Sequence, residues 1–150
     1  MSFFNSKLRY ALCAALDLAM QPSTGACQSR EIASRQHIPG PYLDQILASL
    51  KGAGLVRSVR GAGGGYNLAR SPERITVGDV VRALLRSERL FSGASEESLS
   101  VEAPGVTWVV RDFEEKVEEL LTRHLDGTTL ADLARRKSSL DDSLSMMPGF

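Results

Sequence analysis

Long apolar runs are missing: nothing approaches the ~18 consecutive apolar residues that cross a bilayer. Cysteine is scarce, and Cys13 and Cys27 are too few for a disulfide framework. Lys7 and Arg9 near the N-terminus are followed by neither an uninterrupted apolar block nor a cleavage site, which predicts no secretory leader. Net charge is absent too, with 18 Lys plus Arg against 18 Asp plus Glu. No His/Cys cluster has metal-ligand spacing, and no carboxylate pair stands out for acid–base work. These absences predict a cytoplasmic, non-enzymatic protein with no membrane partner.

What is present suffices for a core. The chain has 150 residues, 43% of them hydrophobic and 24% charged, which fits one or two small folded domains. The neutral total conceals a division. Residues 1–82 carry ten basic and five acidic side chains, so the remainder has the opposite balance. A basic half joined to an acidic half points to a polyanion-binding module plus a second function.

Leu8, Leu12, Ala15, Leu16 and Ala19 recur at helical spacing and predict a helix over Ser6–Met20. A short helix follows, with Ser29 as its N-cap and Glu31 in the first turn, ending before His37. A third opens with Pro41 in its first turn and buries Leu43, Ile46, Leu47 and Leu50. Two short helices about a tight turn form a helix-turn-helix pattern. Residues 55–60 and 66–69, separated by glycines, then read as a β-hairpin, the wing. Thr76 is expected to cap a fourth helix, with Asp79 three residues on and Val77, Val80, Val81, Leu84 and Leu85 on one face.

Residues 86–105 are rich in Ser, Gly and Glu and read as a flexible, sensor-type loop. Val106, Val110, Phe113, Val117, Leu120 and His124 then step by four and three, with Leu121 and Leu125 beside them. This predicts a helix over residues 107–126 whose outer face carries Asp112, Glu114, Glu115, Glu118 and Glu119. A near-heptad stripe on so small a protein calls for a partner helix, so Val106, Val110, Phe113, Val117, Leu120, Leu121 and His124 are the candidate homodimer contacts. A short helix over residues 130–137 and a disordered tail are expected to finish the chain. The fold class is therefore mainly α with a small β-hairpin: a winged helix-turn-helix over 1–85, the loop over 86–105, and a dimerisation region over 106–150.

The glycines of residues 61–65 do not suit a nucleotide loop. A phosphate-cradling turn must open a helix within a βαβ unit, whereas Tyr66-Asn67-Leu68 continues as a strand. A wing tip suits them better, with Arg60 set to enter a minor groove or pair with phosphate. The third helix leaves Pro41, Tyr42, Asp44, Gln45 and Ser49 free of the core stripe. Gln45 can pair with adenine, and Asp44 can accept from the cytosine amino group. The candidate DNA contacts are Lys7, Tyr10, Ser29, Pro41, Tyr42, Asp44, Gln45, Ser49, Arg57, Arg60, Gly61, Ala62, Gly63 and Gly64. Cys13 reads as a packed thiol. Cys27, close to a helix start, is the alternative candidate for redox sensing.

Several segments resemble the Rrf-two (Rrf2) family of bacterial transcriptional regulators. They are Lys7–Leu12, Leu16–Ala19, Glu31–Ala33, Tyr42–Leu47, Gly54–Tyr66, Ile75–Val80 and Leu130–Leu133. The resemblance implies a homodimeric winged-helix regulator, usually a repressor, that binds a dyad-symmetric operator in double-stranded DNA. Two departures stand out. Ala62 occupies the place of the usual wing Pro, and residues 86–105 contain none of the three cysteines of cluster-binding members. Thiolates normally hold iron–sulfur clusters, so no cofactor is expected. Unusual ligation by His124, Cys13 or carboxylates is the remaining route to a cluster. Cluster-free relatives act with a partner enzyme, so a protein or small-molecule effector is expected. The alternative reading is an interaction regulator that docks a metabolic enzyme, with DNA binding secondary.

Overall fold

The computed structural model describes residues 3–22, 24–86, 90 and 105–148. Its first helix, α1 (Ser6–Met20), begins where Asn5 Oδ1 accepts from the Leu8 N–H at 2.9 Å. It buries Leu8, Ala11, Ala14, Ala15 and Leu18, the expected periodic face shifted by a residue in places. Helix α2 (Ser29–Gln36) is capped by Gln28, not by Ser29. Glu31 sets that frame: its carboxylate accepts from the Gln28 N–H at 3.0 Å, which leaves Ser29 as the first helical residue. His37 closes α2 in the left-handed region, at φ 53°.

Pro39 starts α3 (Gly40–Gly52), and Leu43, Ile46, Leu47 and Leu50 are all fully buried on its inner face. Burying each such side chain contributes ~1.5–3 kcal/mol, so this stripe fixes how α3 seats on the core. Strands β1 (Val56–Val59) and β2 (Gly65–Leu68) pair antiparallel, with Val56 opposite Leu68 and Val59 opposite Gly65. The hairpin is tied to the chain ahead of α2 by two backbone bonds between Cys27 and Tyr66, of 2.9 and 2.7 Å.

Helix α4 (Val77–Leu85) has the expected box: Thr76 Oγ1 accepts from Asp79 N–H, and the Asp79 carboxylate accepts from Thr76 N–H. Val77, Val80 and Val81 are buried, but Leu85 is 54% exposed and leaves the predicted face. Adjacent helical residues project about 100° apart. Leu84 takes the half-buried direction, and Leu85 points outward.

The long helix α5 spans Gly105–Gly127, slightly beyond the predicted ends. The last helix, α6 (Leu130–Ser145), runs well past the expected residue 137, and this overturns the reading of a disordered tail. A second capping box, between Thr129 and Asp132, fixes its start. Helix α6 also begins inside the N-terminal core: Leu130 is fully buried in the cluster that holds Ile32, Leu43 and Val56. Val77 N–H to the Thr128 carbonyl and Leu130 N–H to the Ile75 carbonyl, 2.8 and 2.9 Å, stitch the α5–α6 junction to the start of α4. Most of the predicted flexible loop over 86–105 lies outside the described residues. Leu90, within it, is buried with Leu8, Val77, Val81 and Leu125.

Candidate nucleic-acid interface

The first turn of α3 presents Pro41, Tyr42, Asp44 and Gln45 to solvent, because Leu43, Ile46, Leu47 and Leu50 hold the opposite face in the core. Ser49, one turn on, is half-buried. Tyr42 packs edge-to-face on Tyr10 of α1, with ring centroids 5.7 Å apart, so two of the candidate contacts form one aromatic step. Lys7 lies one turn before Tyr10 on α1, and Ser29 sits half-buried at the first position of α2.

The seating of α2 depends on a group that the sequence reading overlooked. Asp17, in the buried face of α1, accepts from Arg35 Nε at 3.0 Å, Arg35 Nη2 at 2.8 Å and Gln36 Nε2 at 2.8 Å. Asp17's side chain is only 3% exposed and Arg35's is 39%. The same Nη2 donates to Cys27 Sγ at 3.4 Å. The hydrogen bond to Asp17, followed by that to Cys27 and the attraction of Asp17's charge, outweighs desolvation and raises the Arg35 pKa further above its already high value. A charged residue flanked by Leu16 and Leu18 was the available signal, but its partners lie on another helix.

At the wing, Arg57, Arg60, Gly61, Ala62 and Gly63 are exposed. Gly64 is not. A Cβ there would sit 2.4 Å from the Val59 carbonyl oxygen and 2.8 Å from that of Gly61. Gly65, at φ 147°, would place a Cβ 2.3 Å from the Cys27 carbonyl oxygen. These two glycines let the hairpin close on itself and dock against Cys27, while the exposed tip is formed by residues 61–63. Among the described residues neither Arg57 nor Arg60 has an ion-pair partner, nor does Lys51 beyond α3.

The candidate dimer contacts lie on an uncovered face of α5. Val106 is 74% exposed, Phe113 66% and Leu120 62%, and Val110, Val117, Leu121 and His124 are exposed as well. Trp108 and Val109, which the heptad reading left out, widen that face. Leu125 departs from it and packs beneath α4. The reason is a latch: Arg82 of α4 donates twice to the Asp126 carboxylate at 2.7 Å, and those bonds raise the Arg82 pKa. The latch draws the last turn of α5 onto the head.

Among the described residues no group of three or more His, Cys, Asp or Glu is placed to hold a metal ion. Cys13 lies half-buried on α1, its thiol pKa pushed up chiefly by burial and lowered less by Arg9. Cys27 is buried at the wing bridge. These thiols and their surroundings do not fit the thiolate set of an iron–sulfur cluster. Among the described residues no helix is long and apolar enough to cross a membrane.

Residues 4–136 match the sequence profile of the Rrf2 family, described as iron-dependent transcriptional regulators. The HTH-type transcriptional regulator CymR of Bacillus subtilis is 36% identical over 130 residues, spanning 87% of this chain and 88% of that protein. IscR of Klebsiella pneumoniae, also an HTH-type transcriptional regulator, is 36% identical over 139 residues, spanning 92% and 83%. The solved structure of CymR, the global cysteine regulator of B. subtilis, superposes with a TM-score of 0.74 at 34% identity, covering 91% of this chain and 98% of that one. For T. potens IscR the TM-score is 0.67 at 36% identity, covering 99% and 94%.

Proposed function

The chain belongs to the Rrf2 family of transcriptional regulators, which are not enzymes, and from that premise we propose a cytoplasmic homodimeric repressor that reads a dyad-symmetric operator. The observation that carries this reading is a pairing of two surfaces. One is the exposed first turn of α3 with the unpaired wing arginines; the other is the uncovered apolar face of α5.

In this reading α3 enters the major groove, with Tyr42, Asp44 and Gln45 at base edges and Pro41 and Ser49 close to the strand. Arg57, Arg60 and the backbone of residues 61–63 follow the flanking minor groove, where narrowing concentrates negative potential. Lys7, Tyr10 and the N-terminus of α2 at Ser29 meet phosphates and set the register. Val106, Val110, Phe113, Val117, Leu120, Leu121 and His124 pair α5 with a second copy. The protein works without a three-cysteine cluster and responds instead to a protein or small-molecule effector.

Binding-site selection followed by anisotropy titration tests the DNA contacts. Gln45→Ala and Asp44→Ala should each change the preferred bases, at ~1–3 kcal/mol per lost bidentate contact. Both variants returning the wild-type motif would reject the placement of α3.

A further inference from the structure

Behind the wing, between the end of α1 and the start of the 3-10 turn at Pro72–Arg74, lies a cavity of 390 Å³. That is within the ~300–1,000 Å³ range of small-molecule sites. Its inner wall includes Leu18 and Cys27, both buried, with Leu68 beside them. Arg57 and Arg70, both exposed, form its rim, and no lining residue is acidic. Neither arginine has an ion-pair partner among the described residues. With its amide oriented to match its neighbours, Asn67 donates to the Gly25 carbonyl at 2.7 Å, which fixes the turn leading to Cys27.

We propose that this cavity is an effector site for a small organic carboxylate with an apolar body. The head group satisfies the guanidiniums, which bind carboxylates through paired N–H donors. The body covers the Leu18 and Leu68 wall. A bare inorganic anion leaves that wall wet, and a neutral apolar molecule leaves both cations unanswered.

The site's place in the fold supplies its coupling to DNA. Cys27 holds the wing through Tyr66 and takes an N–H from Arg35, which clamps α2 to α1. Arg57 is one of the cations assigned above to the minor groove. A carboxylate on Arg57 therefore competes with DNA. This coupling rests on the DNA-binding reading, whereas occupation of the cavity does not.

The test has two arms, both on the full chain. In the first, isotope-labelled protein is titrated with 3-phenylpropanoate, 3-phenylpropanamide and inorganic phosphate while backbone amide signals are followed. The carboxylate should give saturable shifts at Cys27, Asn67, Leu68 and Ala69. The amide and phosphate should bind at least about tenfold more weakly, as should the carboxylate to Arg70→Gln. No saturable binding, equal affinity for the amide or phosphate, or unchanged affinity in Arg70→Gln would overturn the site. In the second arm, saturating carboxylate should weaken operator binding and lower the magnitude of its salt slope by about one. Unchanged DNA affinity with the cavity filled would overturn the effector role. Carboxylate binding by a protein that holds no duplex at all would instead overturn the DNA reading and leave the site standing.

Discussion

The reading head and the long helix solve opposite problems with charge and apolar surface. In the head, apolar side chains from α1 to α4 and the start of α6 close over one another, while Lys51, Arg57 and Arg60 stand without partners. On α5 and α6, several cations are neutralised within the subunit: Lys116 by Asp112, Arg135 by Asp132 and Lys137 by Asp141. There it is apolar surface that is left uncovered, along Val106, Val110, Phe113 and Leu120. Unpaired cations are suited to a polyanion, and an uncovered apolar stripe is suited to another apolar stripe. One chain thus carries two separate adhesive surfaces of different chemistry.

The largest expected effect comes from placing charge on the second surface. Phe113→Glu with Leu120→Glu should raise the dimer dissociation constant at least about a hundredfold, since each lost apolar side chain is worth ~1.5–3 kcal/mol on burial. Sedimentation analysis reads this directly, and an unchanged dimer would remove α5 as the pairing element. The head should fold normally, because neither side chain belongs to its core.

Next is the clamp inside the head. Arg35→Ala leaves the Asp17 carboxylate buried with only Gln36 as a side-chain donor. Breaking a buried pair typically costs ~3–5 kcal/mol, and partial exposure of Arg35 puts the expectation near ~3. Urea unfolding would check it, and a loss below about 1 kcal/mol would show the clamp to be structurally minor. Gly65→Ala should follow at ~1–3 kcal/mol, from strain at positive φ and collision with Cys27.

A smaller, more discriminating change is Arg60→Ala. It should leave thermal stability intact, weaken operator binding modestly and lower the salt-slope magnitude by about one. A wild-type slope would exclude a phosphate contact at that residue. The smallest effect concerns Asp132, whose carboxyl is held below its usual value of 3.8 mainly by the Thr129 backbone N–H, then by the Thr129 hydroxyl. A lowered folded value means that its stabilising share is complete above the unfolded value and fades as pH falls through the folded one. Asp132→Ala should lower the melting temperature slightly near neutrality, and the difference from wild type should vanish in strong acid. A gap that persists there would locate the effect elsewhere.

Much of the head was legible because its elements announce themselves locally. The inner stripe of α3 is periodic, Thr76 and Asp79 form a box three residues apart, and the glycine run interrupts two β-type segments. What sequence missed depends on distant partners. Asp17 looked out of place until Arg35 was brought beside it, eighteen positions along the chain. Gly64 and Gly65 resembled exposed tip residues until the Val59 and Cys27 backbones were seen against them. Helix α6 was underestimated because its second half lacks an apolar period, although Thr129 and Asp132 carried a start signal like that of α4. The face of α5 was visible as a stripe, but Leu125 left it once Arg82 latched Asp126.

The most direct test of the two-surface account is selection from a random duplex library, run in parallel with the wild-type chain and the Phe113→Glu, Leu120→Glu variant. The wild type should enrich an inverted repeat whose half-site centres lie ~10 base pairs, or a multiple, apart. The variant should lose the repeat and retain at most a weak half-site. No enriched sequence, or an asymmetric site equally preferred by both proteins, would contradict the account.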